Sequence, residues 1–283
     1  MSLGRLAAVT RTIGLLSWAL VVGFPLYWIT ITSFKTAGAI AGRPTYLPWV
    51  DFQPVLDAWE WMLASDARGD VLRAFANSLV AAGGSALVAT LLGALGAYGL
   101  VRFRYRAGPW RNDDIAFWFV SQRMLPPVAV VLAFLLMFRE LNLLDSQVGL
   151  LIAYTGFSLP FAIWILRNSF ARIPIELEES ARVEGASVWQ AFRHIALPLA
   201  RPGLVASGLF CFIFAWNEYL FALMLTFQDA TTVPPLLAAR ITSFGAQWDR
   251  LSALTLVNLA PALVVGLILE RYLAQGLFAG AER

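Results

Sequence analysis

The chain has 283 residues, of which 59% are apolar and only 14% charged, with a mean hydropathy of +0.68. That balance excludes an ordinary soluble domain and describes an integral membrane protein. The net charge of +3 comes from arginines that flank apolar runs and is no argument for nucleic acid, and the lone Cys211 excludes an intramolecular disulfide and any cysteine-based metal cluster.

Residues 12–34 carry no Asp, Glu, Lys or Arg, and at ~1.5 Å per residue they cover ~30 Å of hydrocarbon. The run is too long for the apolar core of a secretory signal and lacks a small-residue cleavage site, so it is read as span one. Segment 35–73 follows with Pro44, Pro48 and Pro54 and the rings of Tyr46, Trp49, Trp59 and Trp61, residue types of the headgroup layer. Span two, 75–101, is charge-free and holds Gly83, Gly84, Gly93, Gly96 and Gly99, which let helices approach closely where packing drives association. A short basic loop, 102–114, leads to span three, 115–138, with Arg123 and the donor-less Pro126 and Pro127, so a kink is expected. Span four, 146–167, holds Pro160; span five, 202–227, has one charge, Glu218, beside Asn217. After segment 228–250, span six, 251–272, carries Asn258 and Pro261.

Six spans put both termini on one side of the membrane. Thirteen of the 21 basic residues then fall on that side and seven opposite, with Arg123 in a span, so the termini and the polar segment 173–198 are expected in the cytoplasm. The expected fold is all-α, a single membrane domain over 1–283 with six transmembrane helices.

Segment 173–198 reads as two short helices. Pro174 suits a first turn, and Glu176, Glu178 and Glu179 favour the positive end of the helix dipole. Gly185 fits a helix C-terminus, and Ser187 with Gln190 forms a capping box for a second helix expected to run to about Ala196, where Pro198 stops it. Val188, Phe192 and Ile195 make an apolar stripe on that helix, to be buried either on this chain's own helices or in a groove on a partner.

Charges inside spans mark pathways or proton relays. Arg123 and Glu218 differ in depth by ~10 Å on helix rise, so direct pairing is not expected; Glu218 reads either as a polar anchor near the outer surface or as a gate or cavity residue with Asn217. The single lysine, Lys35, follows Phe34, so no Gly-Lys-[Ser/Thr] step exists for a Walker A loop. Neither H-E-x-x-H nor paired intramembrane carboxylates occur, and His194 is the only histidine, so an enzyme is not expected.

Glu179, Ser180 and Ala181, then Glu184, Gly185 and Ala186, then Ile195, Leu197 and Pro198 resemble the E-A-A…D-G-A…I-x-L-P loop of permease subunits of bacterial ATP-binding-cassette importers, with Ser180 in place of Ala and Glu184 in place of Asp. NSL at 77–79, RMLPPVAV at 123–130, FIFAWNEYLFALMLT at 212–226 and RYLAQGLFAGA at 271–281 resemble the smaller, maltose-transporter-type permease of the carbohydrate-uptake class. The resemblance implies that 173–198 is a cytoplasmic coupling loop docking into an ATPase through Glu178, Glu179, Ala181, Glu184, Gly185, Ala186, Phe192, Leu197 and Pro198. Glu179 would be its charged anchor, Gly185 its turn, and Ala181 and Ala186 its small packing positions. Arg123, Asn217, Glu218 and Asn258 become candidates for the translocation pathway or gate. The implied partners are a second permease in a heterodimer, two ATPase subunits carrying ATP and Mg2+, and an external or periplasmic solute-binding protein reached by segment 228–250. The implied location is the bacterial inner membrane, and the chain itself carries no cofactor or metal. The implied cargo is a sugar, polyol or glycoside; an amino acid, peptide or phosphonate importer shares the coupling loop, and a secondary transporter stands behind both.

Overall fold

The computed structural model describes residues 3–106, 108–243 and 245–278, and side chains for 8–106, 108–243 and 245–270. In chain order the helices are α1 (Leu3–Thr32), α2 (Ala37–Ala41), α3 (Asp57–Ala64), α4 (Ala67–Arg102), α5 (Asn112–Ser121), α6 (Pro127–Glu140), α7 (Gln147–Ala171), α8 (Glu176–Val183) and α9 (Val188–Ala191). A π-helical turn (Phe192–Ala196) joins α9 to α10 (Leu197–Leu199), followed by α11 (Arg201–Trp216), α12 (Leu220–Leu225) and α13 (Val233–Ala238). A two-residue hairpin, β1 (Ile241–Thr242) and β2 (Gly245–Ala246), precedes the last helix, α14 (Trp248–Phe278). The last three residues of the RYLAQGLFAGA motif, 279–281, lie outside the described residues.

Four helices among the described residues are long and apolar enough to cross a membrane, Ala8–Thr32, Ala67–Arg102, Gln147–Ala171 and Trp248–Glu270, and two bent pairs raise the number to six. The kink expected in span three is a bend of 89° between α5 with its short 3-10 turn and α6. Pro126 and Pro127 cause it, since neither can donate to the preceding turn. Two expectations are corrected. Span five is not one helix across 202–227: α11 ends at Trp216 and α12 restarts at Leu220. Nor does Pro198 stop the second polar helix. The Leu197 N–H reaches back five residues to the Phe192 carbonyl, and this wider turn makes room for a proline ring that an α-helical carbonyl four residues back would block. The chain then turns by 75° into α11.

The chain divides into two compact units, Met1–Leu72 with Leu236–Ala260 and Arg73–Pro235 with Pro261–Arg283. In the first, none of the apolar window of α1 is buried, which suits a helix solvated by lipid. Lys35 is nonetheless buried there: its Nζ donates to the Thr45 carbonyl at 2.7 Å and sits over the rings of Trp28 and Phe52. A separate cluster packs Met62, Val71 and Leu254 against Trp59 and Trp61, with Arg240 and Arg250 each over the Trp61 ring.

The second unit is built on α4 and α7. A Cβ on Gly93 would lie 2.7 Å from the Ala162 Cβ, so the two helices meet nearly backbone to backbone, as the small residues of span two predict. Toward the N-terminal part of α7 Phe138, Leu150, Trp216, Phe221 and Leu225 form a core; toward its C-terminal end Tyr98, Leu166, Phe170 and Phe192 form a second.

Candidate functional site

Three constellations in the second unit carry polar chemistry. The first holds the polar segment. Glu176, Glu178 and Glu179 occupy the first turn of α8, but only Glu178 faces inward. Its carboxylate accepts from the Tyr98 hydroxyl at 2.6 Å and from Arg102 Nε at 2.8 Å, while Arg102 also donates to the Ile173 carbonyl. Both members of this ion pair are buried, where a satisfied network fixes geometry and a broken one costs dearly. The carboxylate that anchors the segment within the chain is therefore Glu178, while the neighbouring Glu179 is exposed.

Gly185 ends α8 as read from the sequence. Its φ of +97° lies in the left-handed region, the Ala186 N–H reaches the Ala181 carbonyl and the Gly185 N–H that of Arg182, the paired bonds of a Schellman end. Ser187 and Gln190 form the capping box of α9 in both directions. The apolar stripe divides. Phe192, 4% exposed, packs on Tyr98 and Phe170 and is not available to a partner; Leu197 is partly buried beside it. Val188 and Pro198 stay exposed, and Val183 at 89% and Trp189 at 57% are bare apolar surface that the stripe did not include. Ala181 and Ala186 are partly buried, Glu184 exposed.

The second constellation is a cavity of about 750 Å³ whose walls include Arg123, Tyr154, Phe157, Phe214, Asn217 and Glu218. The break in span five builds it. Asn217 donates from Nδ2 to the Ile213 carbonyl, closing the end of α11, and the Glu218 carboxylate accepts from the N–H groups of Phe221 and Ala222, closing the start of α12. A helix interrupted in a low-dielectric region needs both ends satisfied, and two adjacent side chains do this. Arg123 donates to the Phe157 carbonyl at 3.0 Å and lies 5.5 Å and 5.3 Å from the Phe157 and Phe214 ring centres. Arg123 and Glu218 thus share one cavity without an ion pair between them. Asn258, the remaining pathway candidate, belongs to the other unit.

The third constellation was not anticipated. The Asp145 carboxylate, in the turn before α7, accepts from four successive backbone N–H groups, those of Phe227, Gln228, Asp229 and Ala230, at 3.0–3.1 Å. Burial raises its pKa, but the four donors outweigh burial and hold it below the ordinary carboxylate value. Asn77 donates to the carbonyls of Asp229 and Thr231 and accepts from Gln147, and Ser78 accepts from the Val233 N–H. The polar Asn-Ser pair in a charge-free run was the available signal. It fastens segment 229–233 to α4.

Residues 89–278 match the family described as binding-protein-dependent transport system inner membrane component. The chain is 30% identical over 99% of its length to the diacetylchitobiose uptake system permease protein NgcG of Streptomyces coelicolor, covering 90% of that protein. It is 33% identical over 93% of its length to the trehalose transport system permease protein SugB of Mycobacterium tuberculosis, covering 94% of it. In fold it is similar to a chain of a bacterial ABC transporter involved in the import of the acidic polysaccharide alginate, with a TM-score of 0.77 at 24% identity, over 96% of this chain and 98% of the other.

Proposed function

Because the chain belongs to the binding-protein-dependent transport system inner membrane components, we propose that it is the membrane-spanning subunit of an ATP-driven importer that takes a sugar, polyol or glycoside from an external binding protein. The observation that carries the carbohydrate class is the near full-length similarity to permeases named for diacetylchitobiose and for trehalose. ATP and Mg2+ belong to two partner ATPase subunits, a second permease completes the membrane pathway, and this subunit is not catalytic. Both termini and segment 173–198 face the cytoplasm, a reading supported by the arginine distribution.

The geometry supports a division of labour within 173–198. Glu178 and Phe192 face this chain and hold the loop on α4 and α7, while Val183, Trp189, Glu179 and Glu184 are displayed outward. Such an inward-tethered, outward-apolar element is suited to seat in a groove on the ATPase, where differential contacts in two states would move the spans. The test is reconstitution of the full complex in liposomes with its binding protein. ATP-dependent uptake of trehalose, maltose or diacetylchitobiose is expected. Uptake only of an amino acid, peptide or phosphonate would reject the carbohydrate class, and uptake by this chain without ATPase subunits would reject ATP coupling.

A further inference from the structure

The cavity beside the break in span five has the chemistry of a ligand site that backbone satisfaction alone does not account for. Its size falls in the range of small-molecule pockets. The Tyr154 hydroxyl, on its wall, belongs to a residue only 2% exposed and faces Glu218 and Thr232 without a well-formed hydrogen bond to either. A buried hydroxyl left so is costly. Arg123 uses one of its five N–H donors on the Phe157 carbonyl, and no other hydrogen bond joins it to the described residues. Tyr219, also on the wall, is 41% exposed and presents its ring, whereas the Phe214 ring already carries Arg123 and Phe161.

Arg123 and Glu218 bring opposite charges to the same space, so a solute of one net sign meets attraction from one and repulsion from the other, and between the zwitterion and the neutral solute that remain the carbohydrate reading takes the neutral one. A neutral ring with hydroxyls that both donate and accept offers acceptors to the unused donors of Arg123, donors to Glu218 and to the Asn217 side-chain oxygen, and a C–H face to Tyr219. We propose that this cavity is a subsite for one neutral pyranose ring of the transported solute, so that this subunit touches its cargo directly and does not merely frame a site made elsewhere. The inference rests on the carbohydrate reading above.

The native cysteine, Cys211, is fully buried, so Asn217→Cys places the single accessible thiol of this chain among the described residues at the cavity. In the purified full complex, maleimide labelling of that thiol is followed by mass spectrometry of this chain, with and without the disaccharide that the wild-type complex imports. That disaccharide is expected to slow labelling at least roughly five-fold. Adding Tyr154→Phe, which keeps the ring, is expected to raise the sugar concentration for half protection roughly 3- to 10-fold, the value of one lost hydrogen bond; Tyr219→Ala, at an exposed position, is the second variant should the first fail to assemble. Equal labelling with and without sugar, or labelling absent because a partner helix fills the cavity, overturns the subsite while leaving import intact. If the wild-type complex imports no carbohydrate, the carbohydrate reading falls and takes the subsite with it.

Discussion

Asp145 shows how much one side chain can organise. Its own backbone is left-handed, with φ of +50°, and its N–H donates to the Leu225 carbonyl, so the residue is gripped at both ends while its carboxylate collects four N–H groups. Charge-assisted bonds of this kind favour the ionised form. Because the folded-state pKa is depressed, the contribution to stability is complete above the unfolded value of about 3.9 and is lost as pH falls through the lower folded value. Proteolytic cutting within 226–232 should therefore be flat between about pH 8 and pH 5 and rise only below about pH 4. Asp145→Ala should show the raised rate throughout; a wild-type transition near neutrality would point to another group.

At the scale of elements, the polar segment is a locally written structure held by a distant contact. Gly185 and the Ser187–Gln190 box were legible because each is a signal spanning a few residues: a chain reversal that wants positive φ, and a hydroxyl and an amide three apart. Which of three glutamates turns inward was not legible, since the decision is made by Tyr98 and Arg102, 80 and 76 residues away. For the same reason the pattern leaves Phe192 open between this chain's own helices and a partner, and Tyr98 and Phe170, packed against it, decide for the former. The interruption at 217–219 was hidden by hydropathy, which sees one apolar run; the Asn-Glu pair inside it is polar because it caps two helix ends. Removing the inward carboxylate tests the loop's tether. Glu178→Ala strands the buried Arg102 guanidinium, at a cost of about 3–5 kcal/mol. Its complex should lose thermal stability and binding-protein-stimulated ATPase, while Glu179→Ala should keep its thermal stability. Equal effects of the two substitutions would remove the distinction.

For the molecule as a whole, the six-span all-α plan was open to composition and charge-free runs, because a bilayer admits few alternatives. What lay beyond composition is how the two faces are joined. The helix α4 carries Asn77 and Ser78 near one end, fastened to segment 229–233, and Tyr98 and Arg102 at the other, fastened to α8. By helix rise these fastenings are about 38 Å apart on one uninterrupted rod. Such a strut has no hinge between its ends, so if segment 229–233 meets a binding protein and α8 an ATPase, as proposed above, the two would share a single stroke. Spin labels placed at 228 and at 189 in the reconstituted complex should report displacement at one common nucleotide concentration; two separated midpoints would mean that the rod flexes. Delivery and power would then be synchronised by the stiffness of a single helix, with no signal passed from residue to residue between them.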